Sequence, residues 1–382
     1  MKREIYTEEH DIFRDAFRKF LEKEVVPHQD EWLKAGIVPR EIWKTTGEQG
    51  FIAPWMPEEY GGAGADFLYS AVEMEEIARI GETGFALNLH GEIIVPYIAA
   101  FGNEEQKKKW LPGCASGDII TAVAMTEPNT GSDLQAIKMT ATKDGDSYVL
   151  NGQKTFITNG MINDLVIVAA LTDPTAEPRY KRMSLLVVED GTPGYHKVRK
   201  LEKLGWDSQD TAELFFEDCR VPRENLLGPE EGQGFIQLMQ KLQQERLVCA
   251  VSAVATMWAV LEWTKQYCQE RSAFGKPIIK FQNTRFKLVE MYTMAEICQA
   301  FMDRLLVEHM KGADVVTETS MAKYFIPEEC KKVVDQCLHY CGGYGDMNEY
   351  PISRVFRDSR VATIFAGSTE IMKEIIGRNL GM

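Results

Sequence analysis

The stretch Met125-Thr126-Glu127-Pro128-Asn129-Thr130-Gly131-Ser132-Asp133 stands where the chain changes character. Before it, apolar residues recur at helical spacing. After it, they come in short runs separated by Gly, Pro, Asp and Asn. The stretch itself reads as a loop that offers the hydroxyls of Thr126 and Ser132 and backbone N–H groups around a glycine. Two readings fit. Such a loop can hydrogen-bond the polar edge of a flat heterocycle or an anionic group. It can equally be a connector of Asx and Ser turns between helix and sheet.

Toward the N-terminus, Phe13, Phe17, Phe20 and Leu21 recur at three-to-four spacing, with Thr7 as the N-cap and Pro27 closing the helix. Further helices are expected over 42–49, 68–80, 92–101 and 104–111. Toward the C-terminus, Tyr148-Val149-Leu150 and Thr155-Phe156-Ile157-Thr158 flank Asn151-Gly152, which reads as a turn between strands. Strands follow over 165–171, 184–188 and 212–217, with no helical stretch between them, which favours an antiparallel barrel or sandwich over a βαβ sheet. From Gly234 an apolar stripe of Phe235, Leu238, Met239 and Leu242 opens a long helix toward Trp263. More helices are expected over 284–311, 317–339 and 368–378. The expected architecture is a helical N-terminal domain (1–118), a central antiparallel β-barrel or sandwich (119–228) and a C-terminal helical bundle (229–382).

The chain has 382 residues, room for two to three domains and a large core. Apolar residues make up 45% and charged residues 26%, ordinary for a globular protein. A formal net charge of −14 argues against nucleic acid and against anionic membrane surfaces as partners. No run of about 18 apolar residues is apparent, so no membrane span is expected. The first residues show no apolar leader, which reads as cytoplasmic. Eight scattered cysteines without a C-x-x-C pair read as buried free thiols. Cys337, His339 and Cys341 lack a second pair at ligand spacing, so no metal is expected. Gly61-Gly62-Ala63-Gly64 and Gly342-Gly343-Tyr344-Gly345 do not match G-x-G-x-x-G and follow helices, which disfavours a Rossmann site.

The opening stretch resembles the first signature of the acyl-CoA dehydrogenase flavoprotein family. Four more blocks resemble that family in its order. They are Asn151 to Gly160, the run Arg271-Ser272-Ala273-Phe274-Gly275-Lys276, the run Gly342 to Pro351 with Arg354 and Asp358, and Gly367-Ser368-Thr369-Glu370-Ile371. The resemblance implies the same α–β–α order, a homotetramer, FAD as cofactor and an acyl-CoA thioester as substrate. It implies that Met125, Thr126, Gly131 and Ser132 line the flavin, with Phe156 and Thr158 against the ring; Phe156 replaces a Trp common there. Arg271, Phe274 and Gln282 resemble residues that reach the FAD of a neighbouring subunit. His339, Gly342, Gly343, Ser368 and Glu370 complete the cofactor set, the last two opening a helix whose free N–H groups can hold phosphate or ribose. Ser132, Ser184, Arg246, Ala366 and Gly367 are the substrate-binding candidates. Thr130, His339 and Asp346 depart from the residues usual in the family.

The implied chemistry needs a base for the α-proton while the β-hydrogen leaves as hydride to flavin N5. Many family members carry that base as Glu directly before the Gly of the last motif, and here the position is Ala366. The pattern resembles the long-chain and isovaleryl-CoA branch, with the catalytic Glu on the long helix. Glu245, in Gln243-Gln244-Glu245-Arg246-Leu247, is therefore the expected base, with Arg246 shaping the site. Read without the family, Glu245 and Arg246 would be a solvated polar notch. Glu92, after His90-Gly91, is either a further acid in the chemistry or a surface charge.

The leading expectation is FAD-dependent α,β-dehydrogenation of an acyl-CoA, with electrons passed to an electron-transfer flavoprotein. The alternatives keep fold and FAD but change the reaction: a cyclic acyl-CoA dehydrogenase using an extra acid, the enoyl-CoA reductase direction, or a desulfinase. A non-catalytic binding relative is a third class, disfavoured by the presence of Glu245.

Overall fold

The computed structural model describes residues 3–382. Six helices come first: α1 (Glu8–Phe20), α2 (Gln29–Ala35), α3 (Arg40–Glu48), α4 (Phe67–Ile80), α5 (Val95–Phe101) and α6 (Glu104–Ser116). Eight strands follow: β1 (Thr121–Ala124), β2 (Thr140–Asp144), β3 (Ser147–Ile157), β4 (Leu165–Leu171), β5 (Met183–Glu189), β6 (Tyr195–Lys200), β7 (Ala212–Pro222) and β8 (Leu226–Leu227). The 37-residue α7 (Gly234–Glu270) opens the C-terminal part. A small hairpin, β9 (Ser272–Ala273) and β10 (Lys276–Pro277), leads to α8 (Gln282–Met310), α9 (Val316–Tyr340), α10 (Pro351–Ser359) and α11 (Thr369–Asn379).

The helix starts follow local chemistry. Thr7 precedes α1, its backbone N–H donating to His10 Nδ1 at 3.1 Å. Asp66 caps α4 through Leu68 N at 2.8 Å, and Asn103 and Gln106 cap α6 reciprocally at 2.8 and 3.0 Å. Pro27 does not close the first helix: the chain widens into a π-turn at Leu21–Val25, tightens at Val26–His28 and continues as α2. A proline in a first turn gives up only an N–H that would be unpaired anyway.

The sheet runs β6-β7-β3-β2-β4-β5-β8, and β1 also pairs β4. Most pairings are antiparallel, but β1 lies parallel to β4 over Thr121–Ala124, and β2 meets β4 in parallel at Thr140↔Leu171. The sheet is therefore mixed, because β1 arrives from α6 along one edge of β4. Asn151-Gly152 is no turn. β3 runs straight through it, with a register shift against β7 between Leu150 and Gly152. The reversal lies earlier, at Gly145-Asp146, between the paired Asp144 and Ser147, with Gly145 at φ +61°.

Strand period decides what packs where. On β4, Val166, Val168 and Ala170 join Leu150, Leu186 and Phe216 in a core of the sheet's own residues. Leu165, Ile167 and Ala169 face the other way, onto Phe85, Leu87, Tyr97 and Trp110 of the N-terminal helices. A third core joins Leu68, Ala71 and Met74 of α4 to α7, α8, α9 and α10. Helix α7 is long and apolar enough to cross a membrane by length and composition, contrary to the expectation from the sequence, but 72% of that window is buried inside the protein. It is the central helix of the C-terminal part. All eight cysteines are free and buried.

Candidate active site

Tyr97 and Glu245 meet at the centre of the helical parts. Glu245 lies on the α7 face that packs against α4 and α5, and it is 4% exposed. The Tyr97 hydroxyl, on α5, donates to Glu245 Oε1 at 2.6 Å. Burial pushes the Glu245 carboxyl up to about 7, opposed by the Tyr97 hydrogen bond and by the charge of Arg246. Arg246 is buried too, and its Nε has no partner. The reading of this pair as a solvated notch is therefore wrong: both side chains are buried, and Tyr97 of α5 sits on the Glu245 carboxyl.

Glu92 is not a surface charge either. It is 1% exposed, in a π-turn over Leu89–Ile94 that runs into α5. In that wide turn Val95 N reaches back to His90 O, and Pro96 has no N–H to offer. The carbonyls of Gly91 and Glu92 are thereby released. Trp55 Nε1 donates to Gly91 O at 3.0 Å, and Gln244 Nε2 donates to Glu92 O at 2.7 Å. Gln244 directly precedes Glu245, so the wide turn is fastened to the helix that carries the candidate base.

The last motif is held from a third side. Lys323 of α9 is fully buried, and its ammonium donates to Gly367 O with the Phe365 ring 6.0 Å away. Burial lowers its pKa; Cys249 and Arg246 of α7 are the neighbouring groups that act on it. Ala366 has φ +51° and Gly367 φ +96°, so a side chain at Ala366 sits in strained backbone. Ser368 caps α11 through Ile371 N, and Glu370 stands exposed in the first turn, its carboxyl lowered by its own N–H and the Ser368 hydroxyl.

The opening loop is fixed by a buried ion pair. Lys154 of β3 is fully buried, and its Nζ donates to Met125 O at 3.0 Å and Glu127 Oε1 at 2.9 Å. Burial lowers Lys154 to about 8 against the pull of Glu127. Glu127 also accepts from Lys138 N and Met139 N, and Thr155 N donates to Thr126 O at 3.0 Å. Two residues on, Phe156 takes φ +60° and holds its ring 68% exposed. The loop of Met125 and Thr126 is thus tied to the end of β3 that leads to Phe156 and Thr158, and Gly131 and Ser132 are exposed on the same loop. An exposed ring beside hydroxyls is the kind of surface that a flat heterocycle with polar edges requires.

Other expected residues lie elsewhere. Arg271 follows the end of α7, roughly 40 Å along the axis from Glu245 at 1.5 Å per residue. Phe274, 95% exposed at φ +51°, and Gln282 lie beyond it. Tyr267 near that end donates to Cys341 O at 3.2 Å, which places His339, Gly342 and Gly343 at the far end as well. Ser184 is buried in β5, and its hydroxyl is spent on Thr172 Oγ1 and Gly232 N. It ties the sheet to the turn before α7. The sequence reading missed Tyr97, Glu73, Gln244, Lys323 and Lys154. For Lys154 the signal was there, a lysine at an inward position of an apolar strand, but it was obscured by taking Asn151-Gly152 as a turn.

Three family models cover the chain: acyl-CoA dehydrogenase N-terminal domain over residues 7–118, middle domain over 122–219 and C-terminal domain over 232–381. The chain is 46% identical to the long-chain specific acyl-CoA dehydrogenase of Sus scrofa over 378 residues, 99% of this chain and 88% of that one. It is 53% identical to an acyl-CoA dehydrogenase of Geobacillus kaustophilus of known crystal structure, with a TM-score of 0.98 and full coverage of both. A glutaryl-CoA dehydrogenase from Mycobacterium smegmatis, crystallised with FADH2, superimposes with a TM-score of 0.91 at 26% identity, covering 98% of this chain and 95% of that one.

Proposed function

This chain belongs to the acyl-CoA dehydrogenase family, and from that premise we propose that Glu245 is the base of an FAD-dependent α,β-dehydrogenation of an acyl-CoA thioester. The observation that carries this is a buried carboxyl near 7 that accepts the Tyr97 hydroxyl beside Arg246, in a chain whose last motif has Ala366. A base whose pKa lies near neutrality is half ionised there and can both take and release a proton. Tyr97 and Arg246 favour the ionised form, and burial keeps water from competing for it. Ala366 leaves the substrate face of the last motif free of a second carboxylate. Lys323 holds the Gly367 carbonyl, so the strained turn stays in place.

FAD, once bound, supplies the two-electron acceptor for the β-hydride. Met125, Thr126, Gly131, Ser132, Phe156, Thr158, Ser368 and Glu370 are the residues of this chain that we assign to its near side. Arg271, Phe274, Gln282, His339, Gly342 and Gly343 are too far along α7 to serve the same site within one chain. We assign them to the cofactor of a neighbouring subunit in a homotetramer. The exposed apolar Phe274, Phe286, Val289 and Ile297 around the start of α8 support such an interface. The reduced cofactor is proposed to pass its electrons to an electron-transfer flavoprotein. Anaerobic mixing of FAD-loaded protein with straight-chain acyl-CoAs, read as loss of oxidised-flavin absorbance, tests the reaction. Fast loss in the wild type and a far slower loss in Glu245→Gln is the expected result.

A further inference from the structure

The π-turn over Leu89–Ile94 decides which residue of α5 reaches the base. A π-turn holds one residue more than an α-turn, so every side chain after it lags by roughly 100° of helix rotation. Closed to α geometry, the turn would bring Pro96 to the place that Tyr97 now holds, and no hydroxyl would meet Glu245. The open form is pinned on several sides. Gly91 approaches the Ala53 backbone, where an added Cβ would lie 3.2 Å from Ala53 N. Trp55 Nε1 donates to Gly91 O, and the His90 ring bonds Cys114 O of α6 at 3.0 Å and Thr121 N of β1 at 3.1 Å.

Toward α7 the turn has a single hydrogen bond among the described residues, from Gln244 Nε2 to Glu92 O at 2.7 Å. Five residues after Glu92, Tyr97 bonds the residue that follows Gln244, its hydroxyl donating to Glu245 Oε1 at 2.6 Å. Segments 92–97 and 244–245 are thus stitched at two points, one on the backbone of the turn and one on the carboxyl of the base. Tyr97 is fully buried, and among the described residues it is the one donor to Glu245.

We propose that Gln244 is a positioning residue for the reaction: by holding Glu92 O it keeps the π-turn in register, and so keeps the Tyr97 hydroxyl on the Glu245 carboxyl. This role rests on Glu245 being the base of an acyl-CoA dehydrogenase. Without the Gln244 amide, Glu92 O is a buried acceptor that has lost its donor. The turn relieves that cost by shifting, and Tyr97 shifts with it. Tyr97 favours the ionised carboxylate, so its displacement raises Glu245 above about 7. The other groups that face Glu245 are Arg246 and Cys249 of its own helix, and Lys323 of α9 acts on both of these. Helix α4 contributes none, the nearest acid there, Glu73, being turned to Glu92.

The test follows kcat/KM for a straight-chain acyl-CoA against pH, from anaerobic flavin bleaching of FAD-loaded enzyme. Gln244→Met is close in volume and has no donor. It is expected to move the acid limb upward by about half a unit, so that the ratio of kcat/KM at pH 9 to that at pH 6 rises about threefold. Gln244→Asn, whose amide falls one methylene short, is expected to move the limb the same way. In a Tyr97→Phe background Gln244→Met should add nothing, because the hydroxyl that Gln244 positions is already gone. A limb unmoved by both Gln244 variants, with activity lowered equally at every pH, overturns the proposal. So does a shift that recurs in full in the Tyr97→Phe background. If the limb stays unmoved in Tyr97→Phe as well, or the wild type is bleached by no thioester, the reading of Glu245 as the base falls too, so the two failures are distinguishable.

Discussion

Helix α4 carries two buried glutamates three residues apart, and they face different regions. Glu76 points toward α1, where Arg18 donates to both its oxygens at 2.8 Å and Arg14 to Oε1 at 3.2 Å, and Arg79 of α4 itself donates to Oε2 at 2.7 Å. Burial raises its pKa, but these guanidinium groups together outweigh that and leave it lowered. Glu73 points inward, toward Glu92 and the wide turn, meets no cation, and its carboxyl is driven well above the usual range. Glu245 stands between the extremes, with one hydroxyl, one neighbouring guanidinium and a pKa of about 7. Near-complete exclusion from solvent therefore yields a charged anchor, a candidate base or a carboxyl held neutral, according to the donors supplied.

The comparison can be broken at each of its members. The largest effect is expected at the intermediate one. Glu245→Gln keeps the shape and removes the base, and should lower the rate of flavin bleaching by acyl-CoA on the order of 10³-fold, the usual span for general-base catalysis. Retention of the wild-type bleaching rate would return Glu245 to a structural role.

The anchor comes next. Glu76→Ala takes from Arg18 its ion-pair partner, while Arg14 keeps Glu75 and Arg79 keeps Glu22, and should lower stability by roughly 1–2 kcal/mol, read by denaturant unfolding at pH 7. Because the folded pKa of Glu76 is depressed, its contribution is present above pH 4.5 and is lost as pH falls through the folded value. The difference between variant and wild type should shrink accordingly in acid. A constant difference across pH would assign the loss to packing.

A smaller effect concerns the base alone. Tyr97→Phe removes the hydrogen bond that favours the charged form of Glu245, so its pKa should rise. Activity depends on the ionised carboxylate and falls as pH drops through about 7. The acid limb of kcat/KM should shift upward by about one unit in the variant. An unmoved limb would exclude Glu245 as the titrating group.

The smallest change belongs to the neutral acids. The folded pKa of Glu92 is raised to about 8, so its ionisation weakens the fold progressively from pH 4.5 to 8. Glu92→Gln should match wild type near pH 4 and exceed its thermal midpoint by about 2 °C at pH 9. The reverse trend would mean that Glu92 has a cation partner.

Much of this was legible in the residues. The change from period 3.6 to period 2 and back placed most helices and strands, because amphipathic burial imposes those periods on any surface element. Ala366 together with Glu245 pointed to the candidate base. Asn151-Gly152 misled, since a turn-prone pair inside β3 is overridden by ladders to β2 on one side and β7 on the other. Glu92 was visible as an acid but not as a buried one. Its burial depends on α4 and α7, which lie about 20 and 150 residues away in sequence.

What the sequence by itself determined is the order of helices, strands and helices, the family, the cofactor class and the helix that carries the candidate base. These rest on local periodicity and on motifs whose residues are near neighbours in the chain. Only the tertiary structure decided which acids are held charged, which are held neutral and which donors face them. The pKa of a carboxyl is set by desolvation and by the donors facing it. Here those donors, Tyr97 for Glu245 and Arg14 and Arg18 for Glu76, come from other helices.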